Sequence, residues 1–306
     1  MKKQKKEAAA AEPESGPAFV EASQAVAQSR ALGEAQQWSQ ACHALRPLAE
    51  SVPGAADLWL QIAQWERLDD RAGDAQATLK HAIELNSGRL SNLATLWHAL
   101  ASHLFESQEW SEAAAAALAG LDASRELARS AKETQSLEAE GRTFGPGDWA
   151  RGGELNSARL REHELLEMLA TSRAHEGRFE DAGQAMRGLL LLSPRDPLHR
   201  MRLASLLQSY GALGEASREF ERVMESTPGT FFARDAEAAL EMLDKAQIQQ
   251  ILTRAGEQRD FGLRLERDME ETLDIHAFYL SESGRESLRQ MIDDGRPDLS
   301  RAPRMH

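Results

Sequence analysis

The feature that most constrains this 306-residue chain is a frame of small and apolar residues that recurs at intervals of about 34 residues. Anchored at Ala182, the frame has Leu166, Leu169 and Ala170 upstream, with Gly177 five residues before the anchor and Phe179 three before. Met186, Leu189 and Pro194 follow at four, seven and twelve residues. Ala216, 34 residues on, repeats the frame without a gap through Leu203, Ala204, Gly211, Phe220, Val223 and Pro228. Ala41 carries Trp38, Leu45, Leu48 and Pro53 in the same places. Ala75 carries Trp59, Ile62, Ala63, Leu79 and Ala82, and Ala113 carries Trp97, Leu100, Ala101, Trp110, Ala117 and Gly120. A period of this length marks stacked supersecondary units, none of which can bury its apolar face alone.

The residues that fill the frame are helix formers. Ala, Leu, Glu and Arg are plentiful, whereas Val, Ile and Thr are sparse and tyrosine is limited to Tyr210 and Tyr279. Straight-chain side chains lose little rotamer freedom in a helix, so almost no sheet is expected. Each copy reads as two helices joined by a turn near Gly177 or Gly211, where glycine accepts positive φ. Small pairs such as Ala170 with Ala182 and Ala204 with Ala216 suit a close helix approach. Larger residues such as Leu79, Met186 and Phe220 fill the space between pairs. Pro194 and Pro228 cannot continue a helix. The run Leu189 to Leu192 belongs to a second helix, and its extra leucines suggest that both neighbours cover it.

This pattern resembles the tetratricopeptide repeat, written W-x2-L-G-x2-Y, then A-x3-F, then P. The small residue after the leucine is alanine in four copies and Ser29 in the first. Five copies cover roughly 22–54, 56–88, 94–127, 163–195 and 197–229. The resemblance implies an all-α solenoid that binds another protein or peptide along its first helices.

Around the frame the expected organisation is a disordered tail at 1–18, a solenoid at 19–244, a small helical module at 245–294 and a second tail at 295–306. Residues 124–140 read as a polar helix, and the glycines and proline of GRTFGPGDWARGG predict a loop insertion at about 141–155 with a docking role for Phe144 and Trp149. TFFARDAEAALEMLDK after Pro228 reads as a capping helix. Residues 246–292 read as three short helices, the last opening at Ser281 as its N-cap. That segment weakly resembles the leader-like helical modules of precursors of ribosomally made, post-translationally modified peptides, through Asp260-Phe261, Leu273 and Leu280-Ser281-Glu282. The resemblance implies recognition by an enzyme. No core peptide rich in Cys, Ser or Thr follows, so a substrate role is not expected. Residues 231–300 carry 16 acids and nine bases, which favours a basic partner there.

Several chemistries are disfavoured. Cys42 is the only cysteine, so neither an intramolecular disulfide nor a cysteine-based zinc site can form. It reads as a small buried hydrophobe. His163-Glu164-Leu165-Leu166-Glu167 has glutamate where H-E-x-x-H requires its second histidine. Gly145-Pro146-Gly147-Asp148-Trp149-Ala150 fits G-x-G-x-x-A, yet no strand precedes it and no helix clearly opens from it. Neither metal nor cofactor is expected, and no paired catalytic groups emerge. With 49 acids against 36 bases, nucleic acid is an unfavourable partner. The basic start MKKQKK lacks the apolar core of a signal peptide, and no stretch approaches the ~18–20 apolar residues of a membrane span. A cytoplasmic location is the expectation.

Function is therefore expected on the first helices. By register their outward positions are Gln64 and Arg67, His98 and Ser102, Glu167 and Thr171, and Ser205 and Gln208. The set is mixed in charge. Leu60, Gln64, His98 and Ser102 occupy the places where some tetratricopeptide domains clamp a C-terminal carboxylate, so that activity is not expected. The leading reading is a non-catalytic adaptor that uses this groove. The alternative is an accessory subunit of a peptide-modifying or other enzyme, recruited through residues 246–292.

Overall fold

The computed structural model describes residues 17–52, 54–139 and 146–294, with side chains described over 21–130 and 157–294 apart from Pro53. All regular secondary structure among these residues is α-helical. Ten helices form five successive pairs: α1 (Pro17–Glu34) with α2 (Trp38–Ser51), α3 (Ala56–Leu68) with α4 (Ala72–Leu85), α5 (Leu90–Glu106) with α6 (Trp110–Ala139), α7 (Pro146–His175) with α8 (Phe179–Leu192), and α9 (Pro197–Tyr210) with α10 (Leu213–Ser226). The chain divides into two compact units, Met1–Met168 and Leu169–His306.

In the first unit, α1 through α5 each pack on the next helix, and α5 lies along α6. The small positions of the frame are covered in this packing. Ser29 and Ala41, Ala63 and Ala75, and Ala101 and Ala113 are all buried. Leu45, Leu79 and Ala117, four residues after each anchor, are buried as well. Each large apolar side chain so placed contributes roughly 1.5–3 kcal/mol.

The turn inside every pair is left-handed at the same place, five residues before the anchor. Gly177 and Gly211 have φ of 74° and 86°, and Gln36, Asp70 and Gln108 take φ of 58°, 59° and 61°. The glycines meet the expectation. The other three turns reach the same backbone with a side chain that disfavours it.

The expected loop over 141–155 is corrected in part. Residues 140–145, Phe144 among them, lie outside the described residues, but α7 opens at Pro146 and is helical through 155. Proline is favoured at the first helical position because its missing N–H has no intrahelical partner there and its φ is already helical. Thus Pro146 starts a helix, and a helix does open from the G-x-G-x-x-A stretch. The polar helix through residue 139 is present as the C-terminal part of α6.

In the second unit, α8 packs on α9, and α9 on α10. Asp196 caps α9 by accepting the N–H of Leu198 at 2.9 Å, with Pro197 in the first turn. The leucine run is only half covered: Leu189 is buried, whereas Leu191 is 85% exposed. Successive residues on a helix point about 100° apart, so a run of four must turn one member to solvent.

After Gly229 the expected capping helix and the first residues of the expected module lie on one helix. A single 27-residue helix, α11 (Phe231–Glu257), runs through position 244, capped by Thr230. Its first part packs on α10, and its later part joins α12 (Arg259–Arg267), α13 (Met269–Ile275) and α14 (Glu282–Asp294) around a small core of Ile248, Ile251, Phe261, Leu265, Leu273, Leu280 and Leu288.

Ser281 is the N-cap of α14 as expected, accepting the Gly284 N–H at 3.0 Å. Buried Asp244 of α11 in turn accepts the Ser281 N–H at 3.0 Å and the Ser281 hydroxyl. The approach is so close that a Cβ on Gly284 would stand 2.5 Å from the Asp244 carboxyl carbon. Buried Gln247 donates to the Tyr279 carbonyl at 2.7 Å and accepts the Tyr279 N–H at 3.0 Å, fixing the segment ahead of α14.

Candidate functional site

The first helices of the first unit carry four of the expected groove residues. Gln64 and Arg67 are exposed on α3, and His98 and Ser102 are half-buried on α5. Two of them are already engaged across the stack. Arg67 pairs with Glu106 of α5, and His98 Nε2 lies 2.7 Å from a carboxylate oxygen of Glu164 on α7. Ser102 donates its hydroxyl to the His98 carbonyl at 2.9 Å. Arg67 and His98 therefore join successive first helices, and a partner must compete with those ion pairs. The Arg67–Glu106 pair is exposed, and exposed ion pairs are worth only about 0–1 kcal/mol. Glu167 is half-buried on α7.

A parallel set of ion pairs ties the second helices. Lys80 of α4 meets Glu112 of α6 at 3.0 Å, and Arg187 of α8 meets Glu215 of α10 at 2.7 Å. Sequence reading did not anticipate these pairs, because partners about one repeat apart show no local signature.

In the second unit, Thr171 is exposed on α7, and Ser205 (exposed) and Gln208 (half-buried) lie on α9. The structure brings Thr171 into a cup of roughly 300 Å³ between α7, α8 and α9. Ala170, Ala174, Met186 and Leu206 supply apolar walls, and Thr171, His175 and Arg202 supply polar groups. Ser205 and Gln208 do not line it. Arg202 and Leu206 were missed, although they lie three residues before and one after Ser205. Their signal was available: a long apolar residue beside a base on a first helix. A small apolar cup with a few polar groups is the usual form of a side-chain-binding pocket.

Two groups with chemical potential, His103 and Cys42, are held by the packing. His103 is buried, with Nε2 3.0 Å from the Ala72 carbonyl. Cys42 is buried beside the Ile62 carbonyl, 3.6 Å from Sγ, and burial pushes its thiol pKa up, with Glu66 adding to the rise. Because the thiolate is the reactive form, a thiol-labelling reagent will modify Cys42 in the native chain on the order of a hundredfold more slowly than in urea. Equal rates would show that the α2–α3 contact is open in solution.

The 34-residue register, the buried small-residue pairs and the left-handed turns give the chain the helix-pair architecture of a tetratricopeptide-repeat protein. No family model matches the chain, and no curated protein matches it. Solved structures similar to it include MamA from Desulfovibrio magneticus RS-1, at 12% identity and a TM-score of 0.43, covering 67% of this chain and 94% of that one. Another crystal structure of MamA is similar at 14% identity and 0.43, covering 67% of this chain and 91% of that one. YrrB, a TPR protein with an unusual peptide-binding site, is similar at 11% identity and 0.44, covering 70% of this chain and 90% of that one. Among the described residues, no helix is long and apolar enough to cross a membrane.

Proposed function

We propose that this protein is a non-catalytic interaction scaffold whose first helices receive an extended peptide segment of another protein. The observation that carries this reading is the cup at Thr171, Arg202 and Leu206, which offers an apolar seat for one side chain and hydrogen-bonding groups at its wall. In the first unit, Gln64, Arg67, His98 and Ser102 offer a second polar face, with Arg67 and His98 exchanging internal ion pairs for partner contacts. In the second unit, Ser205 and Gln208 extend the face beyond the cup. An extended peptide suits these surfaces because its alternate side chains enter pockets while its backbone meets polar groups.

The test begins with affinity capture on the full chain, followed by calorimetry with each recovered partner. Thr171→Lys combined with Leu206→Asp fills and charges the cup, and will weaken binding by at least about tenfold, the equivalent of one lost buried side chain. Unchanged affinity for every recovered partner would remove the cup from the interface.

A further inference from the structure

Phe278 and Leu280 both pack into the small core, and Tyr279 between them reaches the last repeat instead. Its hydroxyl donates to a Glu221 carboxylate oxygen of α10 at 3.0 Å. The Arg218 guanidinium of α10 stands 5.2 Å from the ring centroid and that of Arg285, on α14, 5.9 Å, within the range in which a cation is drawn to an aromatic face. A Cβ on Gly214 would stand 3.2 Å from the Tyr279 Cβ, so the tyrosine seats where α10 carries no side chain. Gly214, Arg218 and Glu221 follow one another at four and three residues and form one stripe of α10. From α11, Gln247 holds both backbone polar groups of Tyr279.

That stripe has a place in the repeat frame. Lys80 and Arg187 stand five residues after the anchors Ala75 and Ala182. Each reaches the following second helix, Lys80 meeting Glu112 of α6 at 3.0 Å and Arg187 meeting Glu215 of α10 at 2.7 Å. Glu221 stands five residues after Ala216 and meets Tyr279. The sign is reversed at this end: an acid stands where the earlier copies have a base, and a hydroxyl donor takes the place of their acid. The turn ahead of Tyr279 also copies the repeat. Ala277 is left-handed at φ 58°, and the Phe278 N–H reaches back to the Leu273 carbonyl at 3.0 Å. Past left-handed Gly177, the Arg178 N–H reaches the Arg173 carbonyl at 2.8 Å in the same way. Tyr279 lies two residues beyond Ala277, as Trp38, Trp110 and Phe179 lie two beyond the left-handed Gln36, Gln108 and Gly177.

We propose that Tyr279 is a latch with which the C-terminal module closes the repeat stack, taking on α10 the place of a following second helix. A repeat in a stack is steadied by its neighbours on both sides. α11 packs on α10 as the next first helix would, and Tyr279 supplies the contact that a next second helix would make. Glu221 makes that place selective, because a repeat bearing an acid before its anchor, as α6 and α10 do, would meet a like charge there. The latch joins the module to α10 by a route separate from α11. It shares no residue with the cup on the first helices, so the two readings stand or fall apart.

The test is amide hydrogen exchange of the full chain, read by mass spectrometry on peptides from α10, with α3 and α4 as the internal reference. Tyr279→Ala will speed exchange in α10 by at least about tenfold and leave α3 and α4 unchanged. Tyr279→Phe keeps the ring, loses the Glu221 contact and will speed it by about threefold or more. Gly214→Leu decides by sign. Leucine is the better helix former, so on propensity alone α10 would exchange more slowly. A side chain wedged under Tyr279 will instead speed exchange in α10 by about threefold or more. Far-UV circular dichroism checks that each variant folds, and the phenylalanine and leucine variants decide the matter if the alanine variant does not. Unchanged exchange in α10 across the folded variants would overturn the proposal. So would acceleration confined to α12, α13 and α14, which would make Tyr279 a part of the module alone, or slower exchange in Gly214→Leu.

Discussion

Trp59→Ala will lower the free energy of unfolding by about 3–5 kcal/mol, read as a fall in the urea midpoint followed by far-UV circular dichroism. Trp59 opens the frame in the second repeat and has 0% of its surface exposed. Its ring stands edge-on to His81 of α4 at 5.3 Å between centroids, an arrangement that favours the aromatic quadrupoles. Alanine would leave a cavity lined by two helices that cannot both collapse into it. Stability in a stack of repeats is close to a sum over neighbouring interfaces, so the loss falls on the contacts of the second repeat and reaches the others through them. Trp59→Phe keeps an aromatic ring at the site and will cost less, about 1–2 kcal/mol. An alanine variant with an unchanged midpoint would mean that α3 is not part of the cooperative core.

Glu66→Ala is expected to cost about 2–3 kcal/mol. Glu66 is 1% exposed, which is unusual for a carboxylate, and each of its oxygens has a partner. Oε1 accepts from Arg46 of α2 at 2.6 Å, and Oε2 accepts from the Thr78 hydroxyl of α4 at 2.7 Å. Arg46 also reaches Thr78 at 3.2 Å, so one side chain of α3 holds both flanking helices. Removing it takes the acceptor from the Thr78 hydroxyl and leaves Arg46 only its contact with Thr78. The Arg46 side chain is more than a third exposed and recovers some hydration, which places the cost below the full value for a sealed pair. Glu66→Gln preserves the shape and one acceptor and will cost less than alanine. A double-mutant cycle with Arg46→Ala isolates the pair. A coupling energy near zero would show that Glu66 is buried for packing alone.

The frame was legible because its signals are local and periodic. Ala63 and Ala75, or Ala204 and Ala216, are small for a reason that repeats in every copy. Proline misled where position mattered: Pro146 has the composition of a breaker and the geometry of a helix start. The leucine run misled because hydrophobicity does not say which face of a helix is free, and Leu191 faces water. The turns at Gln36, Asp70 and Gln108 carried no glycine to announce them. The Arg46–Glu66–Thr78 network was out of reach for a different cause. Its members lie 12 to 32 residues apart and become partners only when α2, α3 and α4 are stacked. For the candidate site, sequence register placed Thr171 and passed over Arg202 and Leu206, because a cup between three helices depends on depth as well as on facing.

The unbroken course of α11 has a mechanical meaning. Its 27 residues make a rod about 40 Å long, anchored at one end on the last repeat and at the other in the four-helix core. There is no hinge peptide between the two. Because α10 and the small core share this one helix, steadying either part is expected to slow the opening of the other, read as amide exchange along α11.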